Sequence, residues 1–250
     1  MLPFYFGTNF KMYQTPAVSA AFLHDLHQLT TDLDSTQLFL IPPFTSLPGL
    51  QAKGRIWIGA QNMHFADEGE YTGEISPAML DALGLDLVLL GHAERRRHFG
   101  ETDEHLNRKV KAALAHGLRV LLCVGETATD KYYHVERETV ARQLKIALHD
   151  VTPADIDRLL VAYEPVWSIG TDGQPATVPA VTHTLEQIHA TLGELFPGAI
   201  IPVVYGGSVN VDNCAEYATL PLLDGLFVGR AARTVDGFVQ VLRRALGARA

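Results

Sequence analysis

Eight short apolar runs, separated by stretches with helical spacing, limit the folds open to this chain. They are Phe4 to Phe10, Gln37 to Ile41, Ile56 to Ala60, Asp86 to Gly91, Arg119 to Val124, Leu159 to Tyr163, Ile201 to Tyr205 and Gly225 to Val228. Between them apolar residues recur near every 3.6 positions, as in Val18, Phe22, Leu26 and Leu29, or Leu106, Val110, Ala113 and Leu114. Thr15-Pro16 and Thr177 with Pro179 signal helix starts. Strand and helix in alternation build a parallel sheet. Eight such units in 250 residues, without a Ser/Gly-rich linker, predict an α/β protein with one (β/α)8 barrel domain over residues 1–250. A Rossmann-like open sheet would need G-x-G-x-x-G after the first strand, and that motif is absent from the sequence.

Composition narrows the function. A formal charge of -8, without basic runs or interleaved aromatic and Arg residues, argues against a nucleic-acid or anionic-membrane surface. Pro3, Gly7, Asn9 and Lys11 interrupt any signal-peptide core after Met1, and no apolar stretch reaches membrane-spanning length, so a cytoplasmic location is expected. Cys123 and Cys214 fall in separate elements without metal-ligand spacing, which predicts buried free thiols rather than a disulfide or zinc site.

Polar residues interrupt the apolar pattern where strands give way to loops, and in a barrel all those ends share one rim. Glu164 follows Leu159-Leu160-Val161-Ala162-Tyr163 and precedes Pro165, which stops the strand. A base that takes a proton from carbon needs such a place, close to substrate and coverable by a loop; a solvated loop carboxylate has the same local pattern. Lys11, after the strand end at Asn9, is placed to neutralise a phosphate or an oxyanion, or to be an ordinary surface lysine. His92 opens Ala93-Glu94-Arg95-Arg96, a helical turn whose free N–H groups would favour a neutral imidazole; a structural histidine is the alternative. Gly206-Gly207-Ser208 and Gly229-Arg230 follow the seventh and eighth strands, where backbone amides and a helix N-terminus suit a phosphate. The simpler reading is a pair of tight turns.

Several motifs together resemble the triosephosphate isomerase family over nearly the whole chain. They are Gly7-Thr8-Asn9-Phe10-Lys11-Met12, Gly59-Ala60-Gln61-Asn62, Tyr71-Thr72-Gly73-Glu74, Gly91-His92-Ala93-Glu94-Arg95-Arg96, Cys123-Val124-Gly125-Glu126-Thr127, Tyr163-Glu164-Pro165-Val166-Trp167 and Tyr205-Gly206-Gly207-Ser208-Val209. The resemblance implies that Glu164 moves a proton between adjacent carbons while neutral His92 polarises the oxygens of a cis-enediol(ate), a scheme for which this family is a standard worked case. It implies that Asn9 and Lys11 hold the charged substrate, with Glu94 as a supporting carboxylate. Gly170, Ser208, Gly229 and Arg230 would bind phosphate, and Pro165 to about Thr177 would form a lid. A homodimer is implied, with the Thr72 loop reaching the partner's site; neither metal nor organic cofactor is.

The activity implied first is aldose-ketose isomerisation of glyceraldehyde 3-phosphate and dihydroxyacetone phosphate, as in glycolysis and gluconeogenesis. An isomerase of four-carbon tetrulose phosphates is the alternative, and a non-catalytic sugar-phosphate sensor is a third reading. Three departures from the family pattern bear on that choice. Ala93 stands where Ser is usual, Arg230 replaces the second Gly of the usual phosphate turn, and Thr171 to Thr177 alters the end of the lid.

Overall fold

The computed structural model describes residues 2–170 and 173–249. Eight parallel strands close into a barrel in sequence order: β1 (Phe4–Asn9), β2 (Thr36–Ile41), β3 (Ile56–Ala60), β4 (Leu87–Leu90), β5 (Arg119–Val124), β6 (Leu159–Tyr163), β7 (Val203–Tyr205) and β8 (Gly225–Phe227). The seam is β1 against β8, with Tyr5 opposite Gly225, Phe6 opposite Leu226 and Gly7 opposite Phe227. Helices α1 (Pro16–Leu29), α2 (Pro77–Ala82), α3 (Ala93–Phe99), α4 (Asp103–Ala115), α5 (Ala128–Tyr132), α6 (Glu136–Ala147), α7 (Val178–Leu195), α8 (Cys214–Ala218) and α9 (Val235–Arg249) fall between and after the strands. The (β/α)8 expectation is met, and each apolar run forms its strand to within two residues at either end.

Because side chains alternate across a strand, the sheet separates two cores. Tyr5, Phe39, Ile41, Leu87, Leu89, Leu121, Cys123, Leu160, Ala162, Val204 and Phe227 form a cluster drawn from strands alone, and this cluster fills the barrel. The opposite set, including Phe6, Leu40, Val88, Leu122 and Val161, packs with helix residues such as Phe22, Leu26, Val110 and Leu185. Both cysteines are free and buried.

One helix face differs from its sequence expectation. Phe22 and Leu26 are buried in α1, but Val18 and Leu29 are 51% and 43% exposed, and Ser19 and Leu23 take the inward positions. At about 100° per residue Val18 and Leu29 fall on one edge of the helix, about 20° apart and roughly 60–80° from Leu26, whereas Ser19 and Leu23 flank Leu26 on its other side. Ser19 is tolerated there because its hydroxyl pairs with Ser46 Oγ at 3.1 Å and Gln14 Oε1 at 3.1 Å.

Candidate active site at the open end of the barrel

Strand alternation decides which side chains reach the site. On β6, Leu160 and Ala162 point into the barrel, so the next inward position is Glu164. On β1 the same parity runs through Tyr5 and Gly7 to Asn9, and on β3 through Trp57 and Gly59 to Gln61. β4 breaks the pattern: Leu87 and Leu89 face inward, which would send His92 outward with Val88 and Leu90. Gly91 lies between them with φ +77°, a conformation that side chains rarely adopt, and the turn it makes brings His92 round to the mouth. Arg96 Nε holds that turn by donating to the Gly91 carbonyl at 2.8 Å, and Asp103 receives its Nη1.

Glu164 and His92 are each 4% exposed, with Glu164 Oε1 3.8 Å from His92 Nε2. His92 caps α3, and its Nδ1 accepts from the Glu94 backbone N–H at 3.2 Å. A ring nitrogen that accepts carries no proton, which leaves a neutral imidazole with its N–H on Nε2, facing Glu164. Glu94 Oε2 lies 3.6 Å from the same Nδ1, but the backbone donor fixes the tautomer.

Glu164 is seated by absent side chains. A Cβ on Gly206 would lie 2.8 Å from Glu164 Cγ, and one on Gly125 would lie 2.0 Å from the Glu164 carbonyl oxygen. Both glycines occupy inward positions one step beyond Val204 and Cys123. Gln143 holds Gly125 through its amide and carbonyl, at 2.8 and 3.1 Å.

Lys11 has φ +50°, unusual for a residue with a side chain, and two hydrogen bonds maintain it. Its N–H donates to Asn9 Oδ1 at 2.8 Å, and its carbonyl accepts from Gln61 Nε2 at 2.7 Å. The ammonium donates to Glu94 Oε1 at 2.7 Å. Burial opposes ionisation of Glu94, but the Lys11 ammonium, through its hydrogen bond and its charge, holds the carboxyl below its ordinary range.

Asn9, Lys11, His92, Glu94, Glu164, Gly170, Ser208, Gly229 and Arg230 all line one cavity of about 480 Å³. Tyr13, Ser168, Ile169, Asn210, Phe227 and Arg233, which the sequence did not single out, line it too. Arg233 stacks on the Tyr13 ring at 3.8 Å, which places a further cation at the rim. Thr72 lies elsewhere, in the exposed loop after β3.

The glycine turns differ from expectation in one respect. No helix starts at Ser208: α8 begins only at Cys214, because Asn210 and Asn213 bind the intervening backbone instead. Asn213 Oδ1 accepts from Asn210 N at 2.8 Å, Asn210 Oδ1 accepts from Asp212 N at 2.8 Å, and Asn213 Nδ2 donates to the Ser208 carbonyl at 2.9 Å. After β8 a single 3-10 turn, Arg230–Ala232, begins at once with Gly229 as its cap.

The first turn of the anticipated lid packs closely: Trp167 Nε1 donates to buried Glu126 Oε1 at 2.7 Å, and the Lys131 ammonium lies 3.2 Å from the indole centroid. Thr171 and Asp172 of that segment lie outside the described residues.

A buried carboxylate facing an imidazole at the C-terminal end of a closed parallel barrel places an acid–base pair at the rim where (β/α)8 enzymes carry their active sites. The chain belongs to the triosephosphate isomerase family, whose profile matches residues 4–245. It is 44% identical over 243 residues to an L-erythrulose-1-phosphate isomerase of Rhizobium etli, covering 95% of this chain and 91% of that protein. An L-erythrulose-1-phosphate isomerase of Mesorhizobium japonicum is 43% identical over 250 residues, covering 98% of each. A triosephosphate isomerase of Carboxydothermus hydrogenoformans is 41% identical over 247 residues, covering 96% of this chain and 98% of that protein.

Proposed function

We propose that this protein isomerises a four-carbon ketose phosphate of the L-erythrulose 1-phosphate type, using Glu164 as base and neutral His92 as proton donor. The chemistry rests on the buried Glu164 and His92 facing each other at 3.8 Å across one cavity with Lys11. The substrate rests on the similarity to relatives that bear that name. The triose phosphate reading takes second place, supported by the Carboxydothermus relative.

In L-erythrulose 1-phosphate, C2 is the carbonyl and C3 carries one hydrogen, a hydroxyl and a hydroxymethyl group. Glu164 removes the C3 proton, the C–H electron pair becomes the C2–C3 double bond, and the carbonyl pair moves onto the C2 oxygen. The His92 Nε2–H protonates that oxygen and then recovers a proton from the C3 hydroxyl. Glu164 returns its proton to C2, leaving the carbonyl at C3. The product is therefore another ketose phosphate. A triose phosphate yields an aldose by the same steps, because its reacting carbon lacks the hydroxymethyl group; the aldose-ketose description fits that substrate alone. General base chemistry supplies about 10²–10⁴ in rate. Lys11, Asn9 and the amides of Gly170, Ser208 and Gly229, beside Arg230, supply phosphate and oxyanion stabilisation.

The decisive experiment compares kcat/KM for L-erythrulose 1-phosphate and dihydroxyacetone phosphate with one preparation of protein. We expect a preference for the tetrulose of about 10-fold or more, the scale on which a pocket distinguishes one extra carbon. A preference for the triose would replace the proposal by the second reading.

We also infer a homodimer, in which the exposed loop around Thr72 enters the partner's cavity. Exposed Met12, Tyr71 and Phe99 supply apolar surface for such a contact. Sedimentation velocity with Thr72→Arg should show weakened association together with reduced turnover; a fully active monomeric variant would contradict it.

A further inference from the structure

Three turns meet over the cavity, after β6, β7 and β8. The first two are joined by the Ser208 N–H, which donates to Ser168 Oγ at 3.3 Å. A second tie joins the first turn to the third. Arg230 opens the 3-10 turn after β8, and its Nη2 donates to the Gly170 carbonyl at 2.6 Å across 60 residues of sequence.

Strands β6 and β8 are separated by β7, so they share no ladder that would set their turns in register. The guanidinium supplies what the sheet does not. It carries five N–H donors on a planar fork, so one can hold a carbonyl while others remain for a second acceptor. Arg230, Gly170, Ser208 and Gly229 all line the same cavity, which places the tie within the group of residues assigned above to phosphate.

We propose that Arg230 is a positioning residue that fixes the turn after β6 against the turn after β8 in the ligand-free enzyme. The amides of the two turns then share one frame before substrate arrives, and binding forfeits less loop freedom. The inference rests on the phosphate role proposed for those amides, but the tie is a contact of the chain with itself, and that makes it separable from the choice of sugar.

The test uses the full chain with Arg230→Met, which keeps the apolar stem, and Arg230→Lys, which keeps the charge. Amide hydrogen exchange at Val166 to Gly170 is measured in ligand-free protein, and inorganic phosphate affinity is measured by calorimetry. Arg230→Met should accelerate exchange in that segment by about three- to tenfold, the range for losing one hydrogen bond, and weaken phosphate by a similar factor. Strand amides should exchange as in the parent, Arg230→Lys should fall between the two, and added guanidinium ion should restore part of the phosphate affinity. Unchanged exchange in the ligand-free variant would overturn the proposal even if phosphate weakened, since Arg230 would then act on the anion directly. Acceleration spread evenly through the barrel would also overturn it, as general destabilisation. Sugar turnover enters neither readout, so a wrong substrate assignment would leave the result standing.

Discussion

A single methyl group tests the seat of Glu164. Gly206→Ala would bring a Cβ to 2.8 Å from Glu164 Cγ, and the side chain, being flexible, would swing away rather than the barrel deform. We expect kcat to fall by about 10²-fold, the usual cost of a reacting group displaced by an ångström. Thermal stability and phosphate affinity should change little; an unaltered kcat would show that Gly206 does not set the base. Glu164 itself was legible because a carboxylate ending an apolar run contradicts the run. Gly206 was visible only as part of a turn, since a glycine's sequence signature does not reveal whose side chain occupies the space it leaves. His92 was read as opening a helical turn, and it does cap α3, but its route to the mouth depends on the backbone of Gly91, which strand parity alone would have misjudged.

The segment that leads from β6 into the loop is anchored on a titrating group just after β5. Burial raises the Glu126 carboxyl above its ordinary range, although hydrogen bonds from Trp167 Nε1 and the Tyr163 hydroxyl partly offset it. A folded pKa above the unfolded value means that stability is full below the unfolded pKa and is lost as pH rises through the folded one. Glu126→Gln should therefore flatten the decline in Tm over that window while keeping an acceptor for the indole, as thermal melts from acidic to neutral pH will show. An unchanged decline would assign it to other groups, such as Asp86, which burial also raises. Elements were the most readable scale of this chain. Every strand and the starts of α1 and α7 follow from period and punctuation. The α1 face was misread at Val18 and Leu29 because apolar spacing specifies a stripe, whereas neighbouring packing decides where the stripe ends. The loop after β7 was misread because two asparagines outcompete helix formation for the same backbone groups.

Closure of the barrel depends on a glycine at the seam. A Cβ on Gly225 would lie 1.9 Å from the Tyr5 carbonyl oxygen, on the neighbouring strand and unable to rotate away. Gly225→Ala should cost about 3–5 kcal/mol in urea unfolding, a cost reserved for backbone and core disruption; a loss under 1 kcal/mol would mean that the strands part without penalty. Eight repeated units made the closed form legible, while the chemistry of one gap between strands was not. The division of the interior into a helix-facing core and a strand-only core has a further consequence. Glu164 continues the second of these, so helix positions that make no contact with the site's turns can drift in sequence without tilting the floor beneath it, whereas Arg96, Asp103 and Gln143 cannot. New sugar preferences can then arise by trading rim residues such as Arg230, leaving untouched the masonry on which the rim is built.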